Sequence, residues 1–366
     1  MGRLHDLHDR EGQSPWLDNV TRGWLRDGEI RRWIDRGVRG ITSNPSIFQA
    51  AIQSGPDYDE QLSELAAAGH DPESAYWELV VRDIRDAADQ LAPLHADSDG
   101  GDGHVSVEVS PKLAADTDAT LEQARWLWER IDRPNLMVKI PATPEGLPAI
   151  RHMTAEGRSV NVTLIFSVER YEQVMEAHLA GLEDALAGGV EDLSSIRSVA
   201  SFFVSRVDTE VDRRLDALED RSARELRSTA AVAQVQLAYA AHRRVLDSPR
   251  WAALAERGAR PQRPLWASTS TKDPTLPDTL YVDALIGPGT VNTLPPATLA
   301  AFEDHGTVAR TVDRDVEGAL RRWDRLGELV DLPDVAAVLE VQGVAAFERS
   351  FDELLAVLGG RLASQG

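Results

Sequence analysis

Cysteine is absent from all 366 residues. That absence removes disulfides, thiolate nucleophiles, zinc–cysteine sites and iron–sulfur clusters together. Long apolar runs are missing too: none approaches the roughly 20 residues that a membrane-spanning helix needs. The N-terminal stretch MGRLHDLHDREGQSPW is charged and lacks the apolar core of a signal peptide. A soluble, cytoplasmic protein is expected. Positive charge is scarce, with 39 Lys and Arg against 60 Asp and Glu and a formal net charge of −21. Nucleic acids and anionic membranes repel such a chain and are not expected as partners. A small phosphorylated ligand remains compatible, because one local basic cluster can dominate a pocket. Neither G-x-G-x-x-G nor G-x-x-x-x-G-K-[ST] occurs, so no nucleotide loop is announced. The nine histidines show no metal-ligand spacing, and no metal is expected.

What is present is a recurring unit: a short β-like run ending in polar or turn residues, then a helical stretch. The clear runs are residues 37–45, 104–110, 135–143, 158–166, 198–206 and 263–271, with weaker ones at 15–22 and 289–295. Segments such as DATLEQARWLWERI carry helical periodicity between them. Repeated strand–helix units imply a parallel sheet with helical crossovers. Eight of them close a (β/α)8 TIM barrel, the expected fold, with the site where strands end and loops begin. No repeat or linker divides residues 1–366, so a single barrel domain is expected. Residues 207–262 read as a helical insertion on its exterior, 332–362 as C-terminal packing helices, and 96–104 (ADSDGGDGH) as a flexible acidic loop.

Lysine is rarer still than positive charge as a whole. It occurs only at Lys112, Lys139 and Lys272. Lys139 interrupts the apolar run LMVKIPAT, where arginine would serve as well for a structural charge. A lysine can do what arginine cannot: burial disfavours the ammonium form, and the free amine attacks a ketone to form a Schiff base. Other polar side chains gather at strand positions and strand ends. Glu108 alternates with valines in VSVEVS, Asn161 and Thr163 share one face of VNVTLIF, Asn44 follows a strand before Pro45, Asp18 lies in WLDN, and Arg206 ends SFFVSR. Each has a structural explanation as well. Lys139 and Glu108 could form a plain salt bridge, Asn44 a turn, Asp18 a helix cap, and Arg206 a pair with the acids that follow it. Their repeated placement at strand ends is what favours a shared pocket.

The blocks WLDN, GITSNPSIF, VSVEVSP, LMVKIPAT, NVTLIFSVERY, FFVSRVDTEVD, RPLWASTSTKDP and DTLYVDALIGPGTVNTLP, in that order, resemble the transaldolase family in its longer bacterial form. The resemblance implies a TIM barrel without cofactor or metal. It implies transfer of a dihydroxyacetone unit between sugar phosphates in the non-oxidative pentose phosphate pathway. It further implies Lys139 as the Schiff-base nucleophile, Asp18 as the base on the substrate C4 hydroxyl, and Glu108 with Thr163 as the proton carriers at the imine. Thr42, Asn44, Asn161 and Ser201 would hold the hydroxyls of the dihydroxyacetone unit, with Phe203 in the pocket wall. Arg206 and Ser268 would bind phosphate. The chain departs from the pattern at one point: Ser270 stands where shorter members carry a second phosphate arginine. Lys272, two residues on, is the expected replacement. Lys112 reads as a surface charge. A fructose-6-phosphate aldolase is the near alternative, but those relatives carry Gln and Tyr at Glu108 and Phe203. A silent sugar-phosphate-binding barrel is the distant one, disfavoured because binding alone needs no nucleophilic amine. Whether copies of the chain form a homo-oligomer is left open.

Overall fold

The short apolar runs become strands with two unlike faces. They are β1 (Gln13–Leu17), β2 (Gly40–Thr42), β3 (His104–Glu108), β4 (Leu136–Pro141), β5 (Val160–Ile165), β6 (Ser198–Phe203), β7 (Arg263–Ala267) and β8 (Thr290–Leu294). In the computed structural model, which describes residues 2–218 and 220–364, they pair in sequence order, all parallel, and β8 closes on β1. This is the (β/α)8 barrel that the strand–helix alternation predicts. The weak first run is displaced, since β1 stops at Leu17 and Asp18 already lies beyond the strand. The cap of the following helix, Arg22–Asp27, is Thr21, whose side chain accepts from the Trp24 N–H at 3.2 Å. Asp18 is therefore not spent on capping.

Register puts the polar residues side by side. Glu108 on β3 is level with Lys139 on β4, and Lys139 with Asn161 on β5. The period of two then turns Leu136, Val138 and Ile140 outward against the helices. β5 departs from this regularity. Between Val162 and Ile165 its pairing with β6 slips, and Leu164 adopts φ +59°. A leucine there is strained, because its Cβ crowds the backbone. The bulge lets Thr163 face the barrel mouth while Leu164 turns towards the C-terminal helix. That helix, Leu332–Ala363, buries one stripe that includes Leu339, Gly343, Phe347 and Phe351. A Cβ on Gly343 would stand 3.1 Å from Leu164, so glycine permits the close approach.

The 207–262 segment differs in part from the exterior insertion expected. Within it, the helix Ala230–Leu246 packs against Val168–Ala187 and Val316–Gly327 and so joins the ring of helices. The helix Pro249–Ala255 lies outside, where Trp251 and Leu254 share a small second core with Leu182 and Ile196. The acidic loop at 96–104 is also more ordered than its composition suggests. The preceding helix runs to Asp97, and the turn after it is held by arginines distant in sequence. Asp102 accepts from Arg39 at 2.5 Å and Arg263 at 3.1 Å, and Arg263 also donates to Ser14 at 2.7 Å. This network ties together the loops at the N-terminal end of the barrel.

Candidate active site

At the opposite end, where the strands stop, a cavity of about 140 Å³ opens. Ten of the twelve residues singled out from the sequence lie on its wall: Asp18, Thr42, Asn44, Lys139, Thr163, Ser201, Phe203, Arg206, Ser268 and Lys272. The other two, Glu108 and Asn161, lie just behind it, each in contact with a wall residue.

Lys139 is buried with its ammonium nitrogen 3.0 Å from a Glu108 carboxylate oxygen, and it donates to the Ser43 carbonyl at 3.2 Å. The Glu108 contact is a close charge approach rather than an aligned hydrogen bond, since that oxygen has no hydrogen-bond partner of good geometry among the described residues. Burial pushes the Glu108 carboxyl above its ordinary range, Lys139 pulls it back in part, and the nearby Asp18 charge raises it further. Asp18 is raised as well, again by burial first, against the opposing influence of Lys139 and a 2.7 Å hydrogen bond from Thr42. Thr42 also contacts the Thr293 hydroxyl at 2.6 Å. Two carboxyls with raised proton affinity thus flank one amine, a pairing suited to proton transfer.

The amide and hydroxyl groups are set by local structure. Asn44 caps the helix Pro45–Gln53, its side-chain oxygen accepting from the Ile47 N–H at 3.0 Å, so its amide NH2 remains for the cavity. Asn161 accepts from Ser201 at 2.7 Å and donates to Ser106 at 2.9 Å, which locks its orientation. The buried Thr163 hydroxyl has no partner among the described residues.

Towards the outer end of the cavity the charge changes sign. Arg206 stacks over the Phe203 ring at 5.3 Å and has no ion-pair partner among the described residues, although acids follow it in sequence. Burial lowers its proton affinity. Ser268 sits at φ +55° just after β7, its hydroxyl 2.9 Å from that of Ser205. Lys272 reaches the rim, donating to Ser270 at 2.8 Å, and its proton affinity is lowered by partial burial and by Arg206. Two cations and several hydroxyls around one opening make a setting suited to an anion, an anion seat in chemical character. Lys112 lies elsewhere, paired with Asp352 at 2.6 Å on the surface.

Among the wall residues not singled out from the sequence, which include Ala267, Thr293 and Pro295, one stands against the lysine. Phe347, from the C-terminal helix, lies with its ring centroid 5.8 Å from the Lys139 nitrogen. In the sequence it is one more apolar residue in a helical stripe. Only the docking of that helix over the barrel mouth gives it a place in the site. No group of acidic, histidine or cysteine side chains suited to a metal ion occurs among the described residues. No described helix is long and apolar enough to cross a membrane.

Comparison with known proteins identifies the family. The family model described as transaldolase/fructose-6-phosphate aldolase matches residues 15–358. A transaldolase of Thermobifida fusca is 54% identical over 99% of this chain and 98% of its own length. One from a Parafrankia species is 53% identical over 99% and 98%. One from Mycobacterium tuberculosis is 53% identical over 94% and 93%. A barrel with a lysine at the heart of its mouth and near full-length similarity of this degree leave one assignment: the chain belongs to the transaldolase/fructose-6-phosphate aldolase family.

Proposed function

We propose that this enzyme transfers a dihydroxyacetone unit from sedoheptulose 7-phosphate to glyceraldehyde 3-phosphate, yielding erythrose 4-phosphate and fructose 6-phosphate. The reaction belongs to the non-oxidative pentose phosphate pathway in the cytoplasm. The observation that carries the reading is the placement of Lys139 against Glu108 at 3.0 Å, in one cavity with Asp18 and the Arg206 anion seat.

The Lys139 amine attacks the ketose C2 carbonyl. Glu108, with Thr163, delivers protons to the resulting carbinolamine so that water leaves and the imine forms. Asp18 removes the proton of the C4 hydroxyl as the C3–C4 bond breaks, and the bond's electrons flow into the iminium to give an enamine. The aldose departs, the acceptor aldehyde enters, and the enamine carbon forms the new bond. Water then releases the product ketose and regenerates the amine. Asn44, Asn161, Thr42 and Ser201 hold the hydroxyls of the three-carbon unit, Phe203 and Phe347 shield the imine, and Arg206, Ser268 and Lys272 bind the phosphate. Transfer rather than hydrolytic release fits Glu108 and Phe203, which stand where the aldolase branch carries Gln and Tyr.

Incubation with fructose 6-phosphate, borohydride reduction and peptide mass spectrometry test the reading. A three-carbon adduct on Lys139 is expected; no adduct, or one elsewhere, refutes the mechanism. Fructose 6-phosphate consumption that is equally fast with and without erythrose 4-phosphate would instead identify an aldolase.

A further inference from the structure

A second cavity, of about 370 Å³, lies at the other end of the barrel, among the N-terminal ends of the strands and the loops that lead into them. Its size falls within the range of small-molecule sites. Four arginines converge on it, Arg197, Arg243, Arg260 and Arg263, against one lining carboxylate, Asp99. In a chain of net charge −21 this concentration of positive charge is against the trend of the whole molecule.

The four guanidinium groups are not equivalent. Arg260 pairs with Asp99 at 3.0 Å, and Arg263 with Asp102 at 3.1 Å. Arg197 donates to the Asp99 backbone carbonyl at 2.5 Å but has no carboxylate within ion-pair distance among the described residues. Arg243 is exposed and has neither an ion pair nor a side-chain hydrogen bond there. Burial lowers the proton affinity of Arg197; the neighbouring Arg260 and Arg263 charges add to the effect, and Asp99 opposes it in part. Crowded like charges carry a cost that a bound anion would offset. The inner wall is apolar, with Trp16, Met137 and Val199 reaching in from β1, β4 and β6.

We propose that this cavity binds a phosphomonoester, its dianionic head between Arg197 and Arg243 and its ring or short aliphatic body against Trp16 and Met137. A guanidinium fork matches two phosphate oxygens, and two guanidinium groups without a carboxylate partner match the charge of a dianion. The Trp16 indole N–H, buried on the same wall and without a hydrogen-bond partner among the described residues, is a further donor beside the body of the ligand. The inference is independent of the chemistry at the upper site. Met137 lies two residues before Lys139 on β4 and Trp16 two before Asp18, so occupancy would be felt one layer below the catalytic residues.

The test uses the double variant Arg206→Gln/Lys272→Gln, which removes both cations of the upper opening, and follows phenyl phosphate and inorganic phosphate by isothermal titration calorimetry. One site per chain is expected, with phenyl phosphate bound at least about tenfold more tightly than inorganic phosphate, the worth of a partly buried ring. Adding Arg243→Glu, at an exposed position without a side-chain hydrogen bond or ion pair among the described residues, should weaken binding at least about tenfold. Adding Arg151→Glu at a surface arginine outside the cavity should change nothing. Thermal unfolding of each variant verifies that it is folded. Absence of a site in the double variant, or affinity unaffected by Arg243→Glu, overturns the proposal. Equal affinity for the two probes overturns the role of the apolar wall.

Discussion

At the N-terminal end of the barrel, Asp102 is buried between Arg39 and Arg263; at the C-terminal end, Glu108 is buried beside Lys139 alone. Burial raises the proton affinity of both carboxyls. For Asp102 the two arginines outweigh it and the net direction is down; for Glu108 one lysine does not, Asp18 adds to the rise, and the net direction is up. Similar burial therefore gives opposite outcomes, decided by the number of cations within reach. The lower carboxylate is held ionised as a clamp between β2, β7 and the turn before β3. The upper one is left able to gain and lose a proton, which suits chemistry and costs stability.

The sharpest way to break this contrast is to remove the amine at the upper end while keeping its charge. Lys139→Arg should lower transfer by about 10⁴-fold or more, as expected when an enzyme loses its nucleophile. Steady-state rates on fructose 6-phosphate and erythrose 4-phosphate measure it, and near-parental activity would end the Schiff-base reading. At the lower end the effect should appear in stability. Asp102→Ala leaves two arginine charges without their shared partner, and about 3–5 kcal/mol should be lost in urea unfolding. The turnover number per folded molecule should stay within about twofold; a large loss would mean the two ends are not separable in this way.

A smaller effect is expected at the rim. Lys272→Gln removes one of the two cations at the anion seat and should raise KM for the phosphorylated donor about tenfold, a cost of about 1.4 kcal/mol. Turnover should change little, and an unphosphorylated analogue should be unaffected; equal losses on both substrates would deny Lys272 its phosphate contact. The smallest effect lies in pH dependence. The folded pKa of Asp102 is depressed, so its stabilisation is fully present above the unfolded value of about 3.9 and is lost as pH falls through the folded value. Glu108 has the opposite sign: its folded pKa is raised, so its ionisation opposes folding as pH rises from about 4.3 through the folded value. Asp102→Asn should flatten the acid limb of a stability–pH curve, and an unchanged limb would show that the clamp is not the group responsible.

Much of the upper site could be read directly because its residues sit inside strands. Lys139, Glu108 and Asn161 interrupt β-patterned runs, and parallel register between neighbouring strands then brings them level. The loop residues Ser268 and Lys272 were legible only through family resemblance, since nothing local distinguishes them in STSTKDP. Phe347 was not legible, and neither was the slip in β5, because VNVTLIF reads as clean alternation. The hydrogen bonds that hold the turn at 98–102 were not legible for a related reason. Its composition is that of a mobile loop, and the side chains that hold it, Arg39 and Arg263 among them, come from distant parts of the chain.

By itself, the order of apolar runs and helical segments determined the barrel, and the strand lysine pointed to the chemistry. Both follow from short-range physics: side-chain periodicity sets the elements, and the identity of one amine sets what it can attack. Tertiary structure alone decided which carboxyl is clamped and which is free to titrate, where the C-terminal helix comes to rest, and that four arginines meet below the barrel. Those outcomes depend on distances between residues far apart in the chain, and charge interactions fall away too steeply with distance for composition to reveal them.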